Sequence, residues 1–275
     1  QFSADPVSRA LAKAVGDNGA EEIQLRDLLR VIESAKDDKK IERVVLELDK
    51  LQPSGFASLR EVAAALQELR GSGKQIVAYS DGMSQWQYLL AAQADEVYLD
   101  PMGSVLLEGL GRYRQYFRTG LQDKLGVDVH LFKVGEYKSA AEPYVLDAAS
   151  PASKEADLFW MNDVWQRYLG DIAKARRLDP AQLAAGIDTL PEGIAAAGGD
   201  LAKFALQQTL VTALKTREEF EDLMIERGVA DEDADGGFRN VDFGRYLALL
   251  DARRNPVDSR PQVAVVVAAG EISGG

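Results

Sequence analysis

The chain has 275 residues, 46% of them apolar and 28% charged, enough for one large α/β domain or two small ones with a full-sized core. A net charge of −12 argues against nucleic acid as a partner, and the absence of cysteine excludes disulfides and thiolate metal sites. With His130 as the one histidine, a Ser-His-Asp triad uses that residue or does not exist within this chain.

Asp5-Pro6 followed by Val7, Ala10, Leu11 and Val15 predicts a short helix with proline in its first turn. Residues 23–36 place Leu25, Leu28, Leu29, Ile32 and Ala35 at three- and four-residue spacing, an amphipathic helix. A strand over 41–48, rich in β-branched residues, follows a charged break at 37–40. The turn 53–56 leads into a helix over 58–70, with Ser58 as its expected N-cap. Strand 75–80, helix 85–94 and strand 96–99 come next. This alternation predicts a parallel sheet with crossover helices, whose active sites form at the carboxyl ends of the strands.

A helix is expected over 117–125, a strand over 127–132 and a long helix from 152 to about 178. The bulky face of that helix (Leu158, Phe159, Met161, Val164, Trp165, Tyr168, Leu169, Ile172) implies packing on the sheet or on another subunit. Residues 183–204 read as alanine-rich short helices broken by turns at 191–193 and 198–200. Helices follow over 216–227 and 246–251, with an acidic loop at 231–237 between them. That loop lacks the distal glutamate and ligand order of a calcium loop. Residues 253–261 read as a linker and 262–269 as a strand opening something new. Gln1 in place of an initiator methionine, and a strand pattern close to the last residue, lead us to expect a piece of a longer polypeptide. No apolar run approaches bilayer-spanning length, and the start is not signal-like.

The organising stretch is 132–144, with Lys138 preceded by Tyr137 and followed by Ala140, Ala141 and Glu142-Pro143. A lysine in partly apolar surroundings loses its charge by desolvation and then acts as a base. A lone loop lysine is, however, ordinarily a solvated surface residue. His130 lies in an alternating stretch and reads as a half-buried strand histidine. Ser54 and Ser58 stand at a strand-to-helix turn but lack the Gly-x-Ser-x-Gly of a nucleophile elbow. Neither Gly109-Leu110-Gly111 nor Gly71-Ser72-Gly73 extends into a dinucleotide fingerprint. The base candidate has no evident nucleophile.

The run Val-Gly-Glu-Tyr-Lys-Ser-Ala-Ala-Glu-Pro-Tyr at 134–144 resembles the lysine motif of the signal peptide peptidase A, or protease IV, family. Segments at 72–74, 84–91, 121–127, 150–157 and 165–169 resemble the same family, in the same order. The resemblance covers essentially the whole chain and points to the first half of the long, two-repeat form. It implies a ClpP/crotonase-like α/β fold, a mostly parallel sheet of repeated β-α units with outer helices. Residues 1–255 would form the lysine-bearing repeat, and 256–275 a linker with the opening strand of the second. It also implies a Ser/Lys dyad in which Lys138 is the general base and the second half supplies the serine. Phe56 stands where that second half carries its serine. Tyr137, Ser139 and Glu142 would support the lysine loop. No cofactor or metal is implied. The implied partners are signal peptides and other apolar peptides, the second half, further copies in a tetramer, and a membrane reached through an N-terminal anchor. The implied location is the periplasmic face of the bacterial inner membrane. A strand from 262–269 filling a vacant sheet position is a further expectation. The fold class alone leaves open a crotonase-type enzyme acting on acyl-CoA, or a non-catalytic module for oligomerisation.

Overall fold

A computed structural model describes residues 23–52 and 54–253. In chain order its elements are α1 (Leu25–Asp37), β1 (Arg43–Glu47), α2 (Phe56–Gly71), β2 (Gln75–Ser80), β3 (Met83–Ser84), α3 (Gln85–Ala91), β4 (Glu96–Leu99) and β5 (Val105–Leu106). A π-helical turn (Thr119–Lys124) follows. After it come α4 (Glu142–Val145), α5 (Pro151–Arg176), α6 (Pro180–Asp188), α7 (Leu190–Ala196), α8 (Leu201–Gln207), β6 (Ala213–Leu214) and α9 (Arg217–Arg227). This unit runs to Asn240, and a second begins at Val241. The described part of the second unit holds α10 (Phe243–Ala252), capped by the Asp242 carboxylate on the Arg245 N–H. The expected helix over 5–15 and strand over 262–269 lie outside the described residues.

β1, β2, β4 and β6 form one sheet in the order β1-β2-β4-β6, every pairing parallel. Val44 sits opposite Ile76, and Ala78 opposite Val97. Side chains alternate across a strand, so Val77 and Tyr79 face one side of β2 and Ile76, Ala78 and Ser80 the other. All five are fully buried. Burial on both faces is the mark of a parallel sheet covered by helices on each side. On the Val77 and Tyr79 face, α9 lays Phe220 and Met224 against Tyr79 and Tyr98. Phe220 stacks on Tyr79 with centroids 4.7 Å apart.

Several helix starts follow from local chemistry. Ser84 and Gln87 form a reciprocal capping box at α3, and Thr216 and Glu219 do the same at α9. Ser150 caps α5, whose first residue is Pro151. Ser58, expected as a cap, is instead inside α2, which begins two residues earlier at Phe56 after Gly55. Pro191-Glu192-Gly193, expected as a turn, lies within α7, because proline is tolerated in a first helical turn. The helix expected over 117–125 is present in wound-out π form.

The strand expected over 127–132 is absent. Residues 126–134 carry no regular structure and are almost entirely exposed. The apolar alternation is real, but a strand needs a neighbour for its N–H and C=O groups, and no described strand pairs with this stretch.

The C-terminal half of α5 is fixed to the core. Arg60 of α2 makes a two-pronged ion pair with Asp171, at 2.6 and 3.1 Å. The Tyr168 hydroxyl donates to the Gln85 carbonyl at 2.7 Å, and its ring lies edge-on to Trp86 and stacked on Trp165. The expected core face of this helix is borne out for Met161, Tyr168, Leu169 and Ile172, while Leu158 and Phe159 are exposed.

The loops after β2 and β4 pass so close that Gly103 has no room for a side chain. A Cβ there would lie 2.2 Å from the Asp81 carbonyl oxygen and 3.0 Å from that of Asp100. Both obstacles are backbone, held by the bonds from Met83 N–H to Ser104 O and from Asp100 N–H to Ser80 O. Gly103→Ala is therefore expected to cost about 3 kcal/mol, at the upper end for overpacking, and to lower Tm by about 10 °C. A thermal melt checks this; an unchanged Tm would show that the two loops separate freely.

Candidate active site

The carboxyl ends of β1 and β2 meet in a polar cluster. The Ser80 hydroxyl and the Asp81 N–H both donate to Asp49 Oδ1, at 2.6 and 2.8 Å. Arg217 reaches Glu47 at 2.9 Å and Asp49 at 3.2 Å while lying over the Tyr79 ring. These contacts fix the start of the loop 48–55, where a strand-to-helix nucleophile would stand. Phe56 occupies the first position of α2, its ring 5.9 Å from that of Trp86. Ser54, in the same turn, is exposed and donates to the nearby Gln52 carbonyl at 3.3 Å.

Lys138 closes a tight turn in which its N–H donates to the Gly135 carbonyl at 3.4 Å. Gly135 has φ +106°, a conformation that excludes most side chains. The aliphatic stem of Lys138 folds over it, Cγ and Cε each 3.7 Å from where a Cβ would be. The lysine is exposed, against the expectation of a partly apolar setting. Ala140 and Tyr137 are exposed too, so these neighbours remove little water from the amine. Among the described residues, the Lys138 side chain makes no hydrogen bond or ion pair, and Ser54, Ser58 and His130 are not brought to it. His130 is exposed in the irregular 126–134 stretch and is not the half-buried strand residue expected.

The loop that carries Lys138 is firmly held. Ser139 presents its carbonyl to the Arg114 guanidinium at 2.9 Å and to the Glu142 N–H at 3.1 Å. Glu142, 2% exposed, accepts the Ser150 hydroxyl at 2.5 Å and the Ser150 N–H at 3.2 Å. Burial pushes its carboxyl up, but the two bonds from Ser150 and the charges of Lys133 and Arg114 outweigh this and hold it below the ordinary carboxylate value. Pro143 accepts the Phe117 N–H at 2.7 Å, and Tyr144 stacks on Phe117. Asp147 is pinned by Arg118 and Thr119. Tyr137 is exposed, with its phenol raised by the carboxylates of Glu155 and Glu136.

Of these anchors, Ser150 and Arg114 were not among the expected site residues, nor were Phe117, Arg118, Thr119 and Asp147. The Ser150-Pro151 pair carries a cap signature that could have flagged the first. Nothing local marks Arg114, which reaches Ser139 across 25 residues.

The segment that includes this loop exposes many large apolar side chains. Tyr113, Phe132, Val134 and Phe159 are 85% to 99% exposed, and Leu125, Tyr144, Leu158 and Trp160 are also open. Isolated exposed apolar residues are normal, whereas here they are concentrated within residues 113–160. Among the described residues, no group of acidic or histidine side chains is placed to hold a metal ion, and no helix is long and apolar enough to cross a membrane.

A parallel sheet enclosed by helices, with an anchored lysine loop, gives a fold of the ClpP/crotonase-like α/β class. Residues 68–224, more than half of the chain, match the profile of Peptidase family S49, and the chain belongs to that family. It is 36% identical over 93% of its length to Protease 4 of Salmonella typhi, covering 40% of that protein. It is 31% identical over 97% of its length to Protease 4 of Haemophilus influenzae, covering 43% of it. A chloroplastic serine protease, SPPA of Arabidopsis thaliana, is 24% identical over 86% of the chain. The chain spans about two fifths of the length of the bacterial relatives it matches. These matches bear out the resemblance to the signal peptide peptidase A type of protein.

Proposed function

We propose that this chain is the lysine-bearing half of a Ser/Lys serine endopeptidase whose nucleophile comes from a second half of the same protein. The observation that carries the reading is the contrast at Lys138. Its loop is anchored at Ser139, Glu142, Pro143 and Asp147, yet among the described residues its amine bonds no partner and no serine. Such preorganisation of an unused side chain fits a site completed by another surface. The exposed apolar residues of 113–160 support this reading, as side chains a second half could cover.

In the completed site, the neutral Lys138 amine accepts the proton of the partner serine as its oxygen attacks a peptide carbonyl. Backbone N–H groups of the partner half stabilise the resulting oxyanion. The Lys138 ammonium then returns the proton to the departing amine, and water hydrolyses the acyl-enzyme by the same base. Closure by the second half removes water from Lys138, which this chain alone leaves solvated. Apolar peptides, signal peptides among them, suit the apolar rim. The same rim supports assembly into a homo-oligomer, with membrane attachment through an N-terminal anchor and a periplasmic location.

Mixing this chain with the serine-bearing half tests the proposal. Hydrolysis of an apolar reporter peptide, and labelling by a fluorophosphonate, are expected from the mixture and from neither part alone. Hydrolysis by this chain alone, with the label on one of its own serines, would overturn it.

A further inference from the structure

We infer that Glu142 and Ser150 form a positioning pair that transmits the fixed position of α5 to the turn carrying Lys138. This rests on the reading of Lys138 as the base. The chain of contacts is continuous. The Lys138 peptide leads to Ser139, whose carbonyl accepts the Glu142 N–H at 3.1 Å. The Glu142 carboxylate takes the Ser150 hydroxyl on one oxygen and the Ser150 N–H on the other. The Ser150 oxygen in turn accepts the Ser153 N–H at 3.1 Å, capping α5. The first turn of α5 is itself packed, with Ser153 3% exposed, and the far end of the helix is held to the core by Asp171 and Tyr168.

The chemistry of the pair explains why a charged residue sits here. A buried carboxylate is costly unless its oxygens are satisfied, and Glu142 has donors on both. The N-terminus of a helix favours an anion, so the carboxylate stays charged against the head of α5. The Arg114 guanidinium grips the same Ser139 carbonyl from the other side. The Ser139 carbonyl is therefore held by Arg114, 25 residues back, and by the adjoining turn at Glu142, one peptide away from Lys138. The Ser139–Glu142 bond is a backbone turn that any residue at 142 makes; what the Glu142 carboxylate adds is the tie from that turn to the head of α5 through Ser150.

The test uses the protein with both halves present. Glu142→Ala and Ser150→Ala are expected to lower kcat on a reporter peptide by about 10²-fold, the effect of misplacing a reacting group by roughly 1 Å, with KM within about threefold of wild type. Ser150→Thr keeps the hydroxyl and is expected to restore kcat to within a few-fold. Asp179→Ala is the control: it removes a comparable cap, the Asp179 carboxylate on the Ala181 N–H of α6, and is expected to lower Tm without touching kcat. Wild-type kcat in Ser150→Ala and Glu142→Ala would overturn the inference, as would losses no larger than that of Asp179→Ala. Lys138→Ala in the same assay separates the two claims. Its inactivity leaves the base reading standing even where the pair fails; its full activity removes both.

Discussion

Replacing Lys138 by alanine in the two-half protein is expected to lower kcat by roughly 10⁴-fold or more, as loss of the base does in other acyl-transfer enzymes. Without the amine, the serine hydroxyl has no acceptor for its proton and stays a weak nucleophile. Stability should be almost untouched, within about 0.5 kcal/mol, because Lys138 is exposed and its side chain bonds to nothing among the described residues. Lys138→Arg sharpens the result. Arginine keeps the positive charge and much of the length, but its guanidinium does not give up a proton near neutral pH. A base is lost in both variants, whereas a residue holding substrate by charge is lost only in alanine. Equal inactivity in both, with wild-type melting curves, is the expected pattern. Activity in Lys138→Arg would reassign Lys138 to binding.

The parts of the fold that depend on local chemistry were legible in the sequence. β2 and β4 fall at their expected residues because a strand buried on both faces is a continuous apolar run. α9 starts within one residue of expectation, since the Thr216 capping box is spelled out in the chain. The two-residue strands β3, β5 and β6 were not legible, as two residues carry no periodicity and owe their identity to a distant partner. The same reason, inverted, explains residues 127–132: their alternation is that of a strand, but pairing depends on what lies beside them. At the candidate site Lys138 was legible through its motif, and its exposure was not. The bond between Glu142 and Ser150 was hidden as well, because the partner stands eight residues on and is brought back by a turn and the head of α5. A sequence names groups that could do chemistry; through-space contacts decide which of them are held still.

The other large effect expected is on stability, at Phe220. This ring is fully buried, stacked on Tyr79 at 4.7 Å and tilted against Tyr98 at 5.9 Å. It carries the contact between α9 and the face of β2 and β4. Phe220→Ala should cost about 3–5 kcal/mol, the range for emptying a large aromatic site in a core. That is a large share of the 5–15 kcal/mol that typically holds a domain folded. The loss should show as a lower midpoint in urea with an unchanged slope, since the surface exposed on unfolding is nearly the same. Phe220→Leu refills most of the volume and should cost less than half as much. The consequence reaches the strand ends, because Arg217 lies one turn before Phe220 on α9 and ties Glu47 and Asp49 together over the Tyr79 ring. Loosening α9 frees that guanidinium, so Phe220→Ala should also weaken hydrogen-exchange protection at Asp81, whose N–H is held by Asp49. A loss below about 1 kcal/mol would mean that the cluster repacks around the gap and that α9 is held to the sheet by its ion pairs rather than by this ring.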